Sequence, residues 1–303
     1  MTNIPIAFNF DADLYPSSQR AGIMQEFADH GARHLTLTTK LLTLIFSSPS
    51  QATQLLREAQ TAGLTFTDAH APHSLQARPG SERTDTLKHL REALKITADF
   101  NIRTITIHVG NNGSYWDNYP LDQLYNFSLA TLHELMPLAE ELDLIIAIEN
   151  IWHPTNVAEK LLAMITAFSS PHLGICYDTG HANLLRENRN YTNFRPGEPW
   201  ERLGRIGWDN QILEKVLPHV TSAHLQDNHG DFDVHLAPGH GDINWPHITR
   251  LLKSAPRLTT LQCEVSPGHH NYTVADIIAS IQKIWGHIHI SEDRETMPFT
   301  PYT

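Results

Sequence analysis

Short runs of apolar residues recur along the 303-residue chain, each followed by a longer run whose apolar positions fall three and four apart. The short runs are Ile4–Asn9, His34–Thr38, Thr65–His70, Arg103–His108, Leu144–Glu149, His172–Asp178, His219–Gln226 and Leu258–Glu264. Their length and β-branched content predict strands. The longer runs are Ser17–His30, Pro49–Ala62, Glu82–Phe100, Leu121–Leu142, Asn156–Phe168, Asn210–Leu217, Trp245–Ser254 and Thr273–Trp285. In one of them Leu87, Leu90, Leu94 and Ala98 form a single apolar stripe, as an amphipathic helix requires. The pair Ser48-Pro49 reads as a helix cap followed by proline at the first helical position. The stretch after the second strand, "TKLLTLIFSSPS", reads as a loop.

Strands alternating with helices imply parallel βαβ units. Eight of them predict one α/β domain, a single (β/α)8 TIM barrel, over residues 1–285, with a C-terminal extension over 286–303. A doubly wound open sheet would want a glycine-rich turn after its first strand, and "FNFDADLYPSS" contains no glycine. No internal repeat or change of composition divides the chain.

Composition narrows the function. Hydrophobic residues are 41% and charged residues 18%, as in an ordinary globular protein. No apolar run reaches the length of a membrane span, and the start "MTNIPIAFNF" lacks the basic and apolar regions of a signal peptide. The two cysteines, Cys176 and Cys263, imply no disulfide framework. These features predict a cytoplasmic protein. The net charge of −11 disfavours nucleic acid as a partner, because an acidic chain gains nothing from counterion release. Histidine is the outlier, with 20 residues, and surplus histidine directs attention to metal sites.

Barrel enzymes carry their chemistry at the C-terminal ends of the strands. Those ends read His70, His108, Glu149, Asp178 and Glu264, with His224 near the end of the seventh and His181 just past the sixth. Read singly, each histidine has a plain structural use in a turn or a strand cap. The carboxylates are harder to dismiss, because a charge ending a buried apolar strand is costly unless it is paired or coordinated. A barrel brings all these ends to one mouth. Imidazoles mixed with carboxylates suit a divalent metal such as Zn, Mn or Co.

The stretches "IAIEN", "GICYDTGH", "AHLQDN", "DVHLAPGHGDINW" and "LQCE" resemble the xylose isomerase-like TIM barrel superfamily. It includes sugar and sugar-phosphate isomerases and epimerases, inosose-converting enzymes, and endonuclease IV of AP endonuclease family 2. The resemblance runs from about His70 to Glu264. The epimerase members imply one metal held by Glu149, Asp178, His224 and Glu264. Glu149 and Glu264 then move protons on opposite faces of the substrate, and His181 contacts substrate oxygen. The endonuclease IV-like members imply up to three zinc ions on nine residues, which adds His70, His108, His181, Asp233 and His235 as ligands. What surrounds these residues favours a small carbohydrate or phosphorylated substrate over DNA. The loop after the second strand has one lysine, and His73 stands where a wedging aromatic would be expected. The leading expectation is therefore a metal-dependent isomerase or epimerase. A multinuclear metallohydrolase is the alternative, and a non-enzymatic metal-binding barrel a third reading. A homo-oligomer is compatible with all three.

Three loops offer substrate contacts. Trp116, beside Tyr115, follows the fourth strand. Arg186 and Arg195 lie in the long Asn183–Gly207 loop, where an arginine can hold a phosphate or carboxylate. His269 follows the eighth strand. His229, His240 and His247 are read as bystanders.

Overall fold

The computed structural model describes residues 4–10, 17–110, 119–189, 191 and 198–286. Eight parallel strands close into a barrel in chain order. They are β1 (Ile6–Asn9), β2 (His34–Leu37), β3 (Thr65–His70), β4 (Thr104–His108), β5 (Ile145–Glu149), β6 (Leu173–Asp178), β7 (Val220–Leu225) and β8 (Thr260–Cys263). Closure pairs Ile6 with Leu261, Ala7 with Gln262 and Phe8 with Cys263. Ten helices accompany them among the described residues: α1 (Ser17–Asp29), α2 (Thr39–Ser47), α3 (Ser50–Thr61), α4 (Ser81–Asp99), α5 (Leu121–Glu141), α6 (Ala158–Phe168), α7 (Thr179–Leu184), α8 (Ile212–Val216), α9 (Trp245–Leu252) and α10 (Val274–Trp285).

Side chains alternate between the two faces of a strand. One set, including Phe8, Leu35, Leu37, Ile105, Ile107, Ile146, Ile148 and Cys263, is buried in the apolar core with helix residues such as Phe27, Leu90, Leu135, Leu161 and Ile277. Burying each large side chain stabilises the layer by about 1.5–3 kcal/mol. The other set faces the bore and is unusually small and polar. Two residues before the mouth residues stand Asp68, Thr106, Ala147, Cys176, Ser222 and Gln262, all buried.

All eight predicted strands form. Two helices are added to the sequence reading. The stretch read as a loop after β2 is α2, which buries Leu41, Leu42 and Ile45 and is capped by the Thr38 side chain. Its apolar spacing is helical, but nine residues is short for that signal. Likewise α7 begins at Thr179, directly after Asp178, so the long loop starts two residues later than expected. Helix α3 starts at Ser50 with Pro49 at its cap position, one residue later than read. At α10 Thr273 and Asp276 form a reciprocal capping box. No described helix is long and apolar enough to cross a membrane. The proposed 286–303 extension, apart from Gly286, lies outside the described residues.

Candidate metal centre

The strand ends, the start of α7 and the loop after β7 bring nine sequence-predicted residues to one mouth in overlapping groups, three of which include all nine, while His70 also groups with His224 and Glu264. His70, His108 and Glu149 form the first; Glu149, Asp178, His224 and Glu264 the second; His181, Asp233 and His235 the third. Within each group one potential ligand atom per residue lies within 4.8 Å of the others. Glu149, fully buried, belongs to two groups, and its two oxygens divide between them. Oε2 lies 3.4 Å from His70 Nε2 and 3.1 Å from His108 Nε2. Oε1 lies 3.6 Å from His224 Nδ1 and 3.0 Å from His181 Nδ1. Glu264 Oε2 closes on His224 Nδ1 at 3.3 Å. In the third group the Nε2 atoms of His181 and His235 lie 3.5 and 3.4 Å from Asp233 Oδ2.

Tautomers follow from the backs of the rings. Nδ1 of His70, His181 and His235 each lies 3.1 Å from a main-chain carbonyl, of Ala71, Asn150 and Glu264 respectively. A carbonyl only accepts, so each Nδ1 carries a hydrogen and Nε2 is the nitrogen left for the mouth, able to bind a metal when it carries no proton. Ring nitrogens and carboxylate oxygens that face one another need a proton or a metal cation between them. Consistent with that, both oxygens of Glu149, both ring nitrogens of His224 and Oε2 of Glu264 are buried without a hydrogen bond. The donor set therefore fits divalent metal ions.

Electrostatics agree. Burial, with Glu264 and Glu149 adding repulsion, pushes the Asp178 carboxyl up to about 7. Burial opposes charge on the His235 ring, but Asp233 outweighs it and raises the ring to about 10. Protons on these rings balance the carboxylates until a metal displaces them.

Neighbouring amides hold the ligands in place. Asn150 spans two strand ends, accepting from Asp178 N at 2.8 Å and donating to Asp178 O at 3.0 Å. Asp178 Oδ1 accepts from His181 N at 2.6 Å, which makes this candidate ligand also the cap of α7. Gln226 Nε2 reaches Asp178 and Asp233 at 3.3 Å, tying the second group to the third. This amide explains the glycine of "DTGH": a Cβ on Gly180 would come within 2.3 Å of the Gln226 side chain. Asp227 organises the loop that carries Asp233 and His235. Its carboxylate accepts from Asn228 N (2.9 Å), Gly239 N (2.9 Å), Ile243 N (3.3 Å) and the Trp245 indole (2.8 Å). A Cβ on Gly241 would meet Asp227 Oδ1 at 2.2 Å, so the second glycine of "GHG" clears room for this contact.

A cleft of about 440 Å³ opens over the groups, lined also by Thr38, Thr39, Lys40, Trp152, His153 and Gln262. Lys40 is the basic side chain other than histidine among its lining residues. Arg186 and His269 are exposed and are not among the lining residues. Trp116, Tyr115 and Arg195 lie outside the described residues. Among the bystanders, His240 stacks edge-on with Tyr272, and His247 pairs with Glu214. His73 stacks on His89.

Asp68 escaped the sequence reading. It lies in the bore, fully buried, with neither carboxylate oxygen hydrogen-bonded. Burial raises it from its usual 3.8 to about 7, against the opposing pull of His224 and His70. A carboxyl raised in the folded state stays protonated where the unfolded chain has already ionised. The resulting loss of stability grows as pH rises from about 4 to about 7, then levels at on the order of 4 kcal/mol. Asp68→Asn removes this liability but leaves a buried amide. In chelator-treated protein it is expected to be about 2 kcal/mol more stable than the parent at pH 8, with the gain shrinking towards pH 4. Urea unfolding at the two pH values checks this; a variant less stable at pH 8 would contradict it.

With the geometry established, comparison with known proteins adds its own findings. A family model described as a xylose isomerase-like TIM barrel matches residues 24–283. An uncharacterized protein of Methanocaldococcus jannaschii is 31% identical over 191 residues, which cover 61% of this chain and 59% of that relative. The match thus spans about three-fifths of the relative's length. Among solved structures, a D-tagatose 3-epimerase-like protein aligns at 22% identity with a TM-score of 0.67, covering 91% of this chain and 95% of its own. The 3-keto-D-glucoside 4-epimerase of E. coli aligns at 16% and 0.69, covering 93% and 98%. A xylose isomerase-like TIM barrel protein from Mycobacterium smegmatis, solved with magnesium, aligns at 16% and 0.66, covering 93% and 97%. At these identities the likeness is one of fold.

Proposed function

Because the chain belongs to the xylose isomerase-like TIM barrel family, we propose that it is a metal-dependent enzyme whose mouth holds more than one divalent ion and hydrolyses a small phosphorylated substrate. The observation that carries this reading is the division of the Glu149 carboxylate between two ligand groups, with a third group complete beside them. In a mononuclear site His70 and His108 on one Glu149 oxygen, and Asp233 between two imidazoles, would serve only as hydrogen-bond and charge partners. When bound, the ions supply Lewis acidity, which acidifies water and neutralises phosphate oxygens.

The chain's own residues do the rest. Lys40 stands at the cleft wall as a point charge for a phosphate. Trp152, 5.0 Å from the His181 ring, gives the substrate an apolar face to lie on. Glu264 is less enclosed than Glu149, at 14% side-chain exposure, and lines the cleft. The net charge and the modest cleft both argue for a small molecule over a duplex.

A second reading is proton transfer by an isomerase or epimerase. It is favoured by the pairing of Glu264 with Glu149 across His224 and by the epimerases named among structures of the same fold. Metal content separates the two. Protein purified without chelator is expected to carry three ions per chain by elemental analysis, and His235→Ala two, with at least about a hundred-fold lower turnover of phosphoesters. One ion per chain, unchanged in His235→Ala, together with interconversion of ketoses, would replace the first reading with the second.

A further inference from the structure

Cys176 takes no part in the three groups, yet it is placed to join one. It lies on β6 two residues before Asp178, so strand alternation puts its thiol on the same bore-facing side, one step below the carboxylate. The other cysteine makes the contrast. Cys263 lies among the buried side chains of the outer apolar core, whereas Cys176, equally buried, is not among them. Instead, potential ligand atoms of Glu149, Cys176 and His224 all lie within 4.8 Å of one another, and all three residues are fully buried. Glu149 and His224 also belong to the group with Asp178 and Glu264. Their oxygens and ring nitrogens have no hydrogen-bond partner, so they can serve an ion on either side.

We propose that Cys176 is an inner, metal-selective ligand: a thiophilic divalent ion (zinc, cadmium or cobalt) settles on Glu149, His224 and Cys176, while a hard ion (manganese or magnesium) stays with the carboxylates of Asp178 and Glu264. This rests on the metal-centre reading given above. Thiolate sulfur favours soft ions and oxygen favours hard ones. As the metal–sulfur bond forms, the thiol proton leaves to solvent, so binding of the dication adds one net positive charge to the site.

Zinc-loaded full-length protein, examined by X-ray absorption, is expected to show a sulfur scatterer at about 2.3 Å. Cobalt or cadmium added to the metal-free chain is expected to raise a thiolate-to-metal charge-transfer band. That band should persist in Cys263→Ser and vanish in Cys176→Ser. The preference for cadmium over manganese should fall at least about tenfold in Cys176→Ser. Bound zinc with nitrogen and oxygen scatterers alone, or a band that survives in Cys176→Ser, would overturn the inner position and leave the metal centre standing. No binding of zinc, cobalt, cadmium or manganese by the unaltered chain would overturn both.

Discussion

Glu149→Gln is expected to reduce bound metal from three ions to at most one per chain and to lower turnover at least about a thousand-fold. Oε2 serves His70 and His108, and Oε1 serves the side of His224 and His181, so one carboxylate is shared by two ligand groups. The amide keeps the shape but removes a full negative charge. It also presents N–H hydrogens to imidazoles or to a cation on one side, which reverses the polarity of the contact. The third group, His181, Asp233 and His235, does not use Glu149 and should keep its ion. Elemental analysis, alongside circular dichroism to establish that the variant folds, reads this out. Retention of all ions and full turnover would refute the assignment of the mouth as a metal centre.

The second large effect belongs to a residue that touches no ion. Asp227→Ala leaves three main-chain amides and the Trp245 indole without their acceptor in a buried setting. Each stranded donor costs about 1–3 kcal/mol, less what water recovers at the loop surface. A total on the order of 4 kcal/mol is expected, with Tm lower by roughly 8 °C. The loss should also reach the centre, because the segment these bonds fold carries Asp233 and His235. One ion per chain should be lost while the first two groups stay loaded. Asp227→Asn should fall between, since an amide accepts on one side only. Calorimetry with elemental analysis tests the pair. A destabilised Asp227→Ala that keeps its full complement of metal would separate the loop's folding from the site.

The barrel was legible because its signals are local and periodic. Each strand announces itself over five or six residues, and a carboxylate ending an apolar run, such as Glu149 in "LIIAIE", is conspicuous for its cost. Helix α2 was missed although Leu41, Leu42 and Ile45 have helical spacing. A nine-residue run between a strand and a Ser-Pro pair carries too few repeats to be told from a loop. Asp68 was hidden differently. Alternation already aims it inward from "TFTDAH", but attention to strand ends stops one layer above it. Lys40 and Trp152 reach the cleft from separate segments, and only the closed barrel makes them neighbours. The pattern "DVHLAPGHGDINW" was recognisable by resemblance, yet its organiser, Asp227, precedes it, and its partners lie up to 18 positions downstream.

The pairing of β1 with β8 sets a timetable for the centre. As the chain leaves the ribosome, the ligands of the first group are all present once Glu149 has emerged, and those of the third once His235 has. The second group waits for Glu264, at the end of the strand that also closes the ring. Until then the early strands have no ring to hold their ends together. Assembly of the complete mouth therefore waits for the last strand, whose pairing with β1 closes the ring.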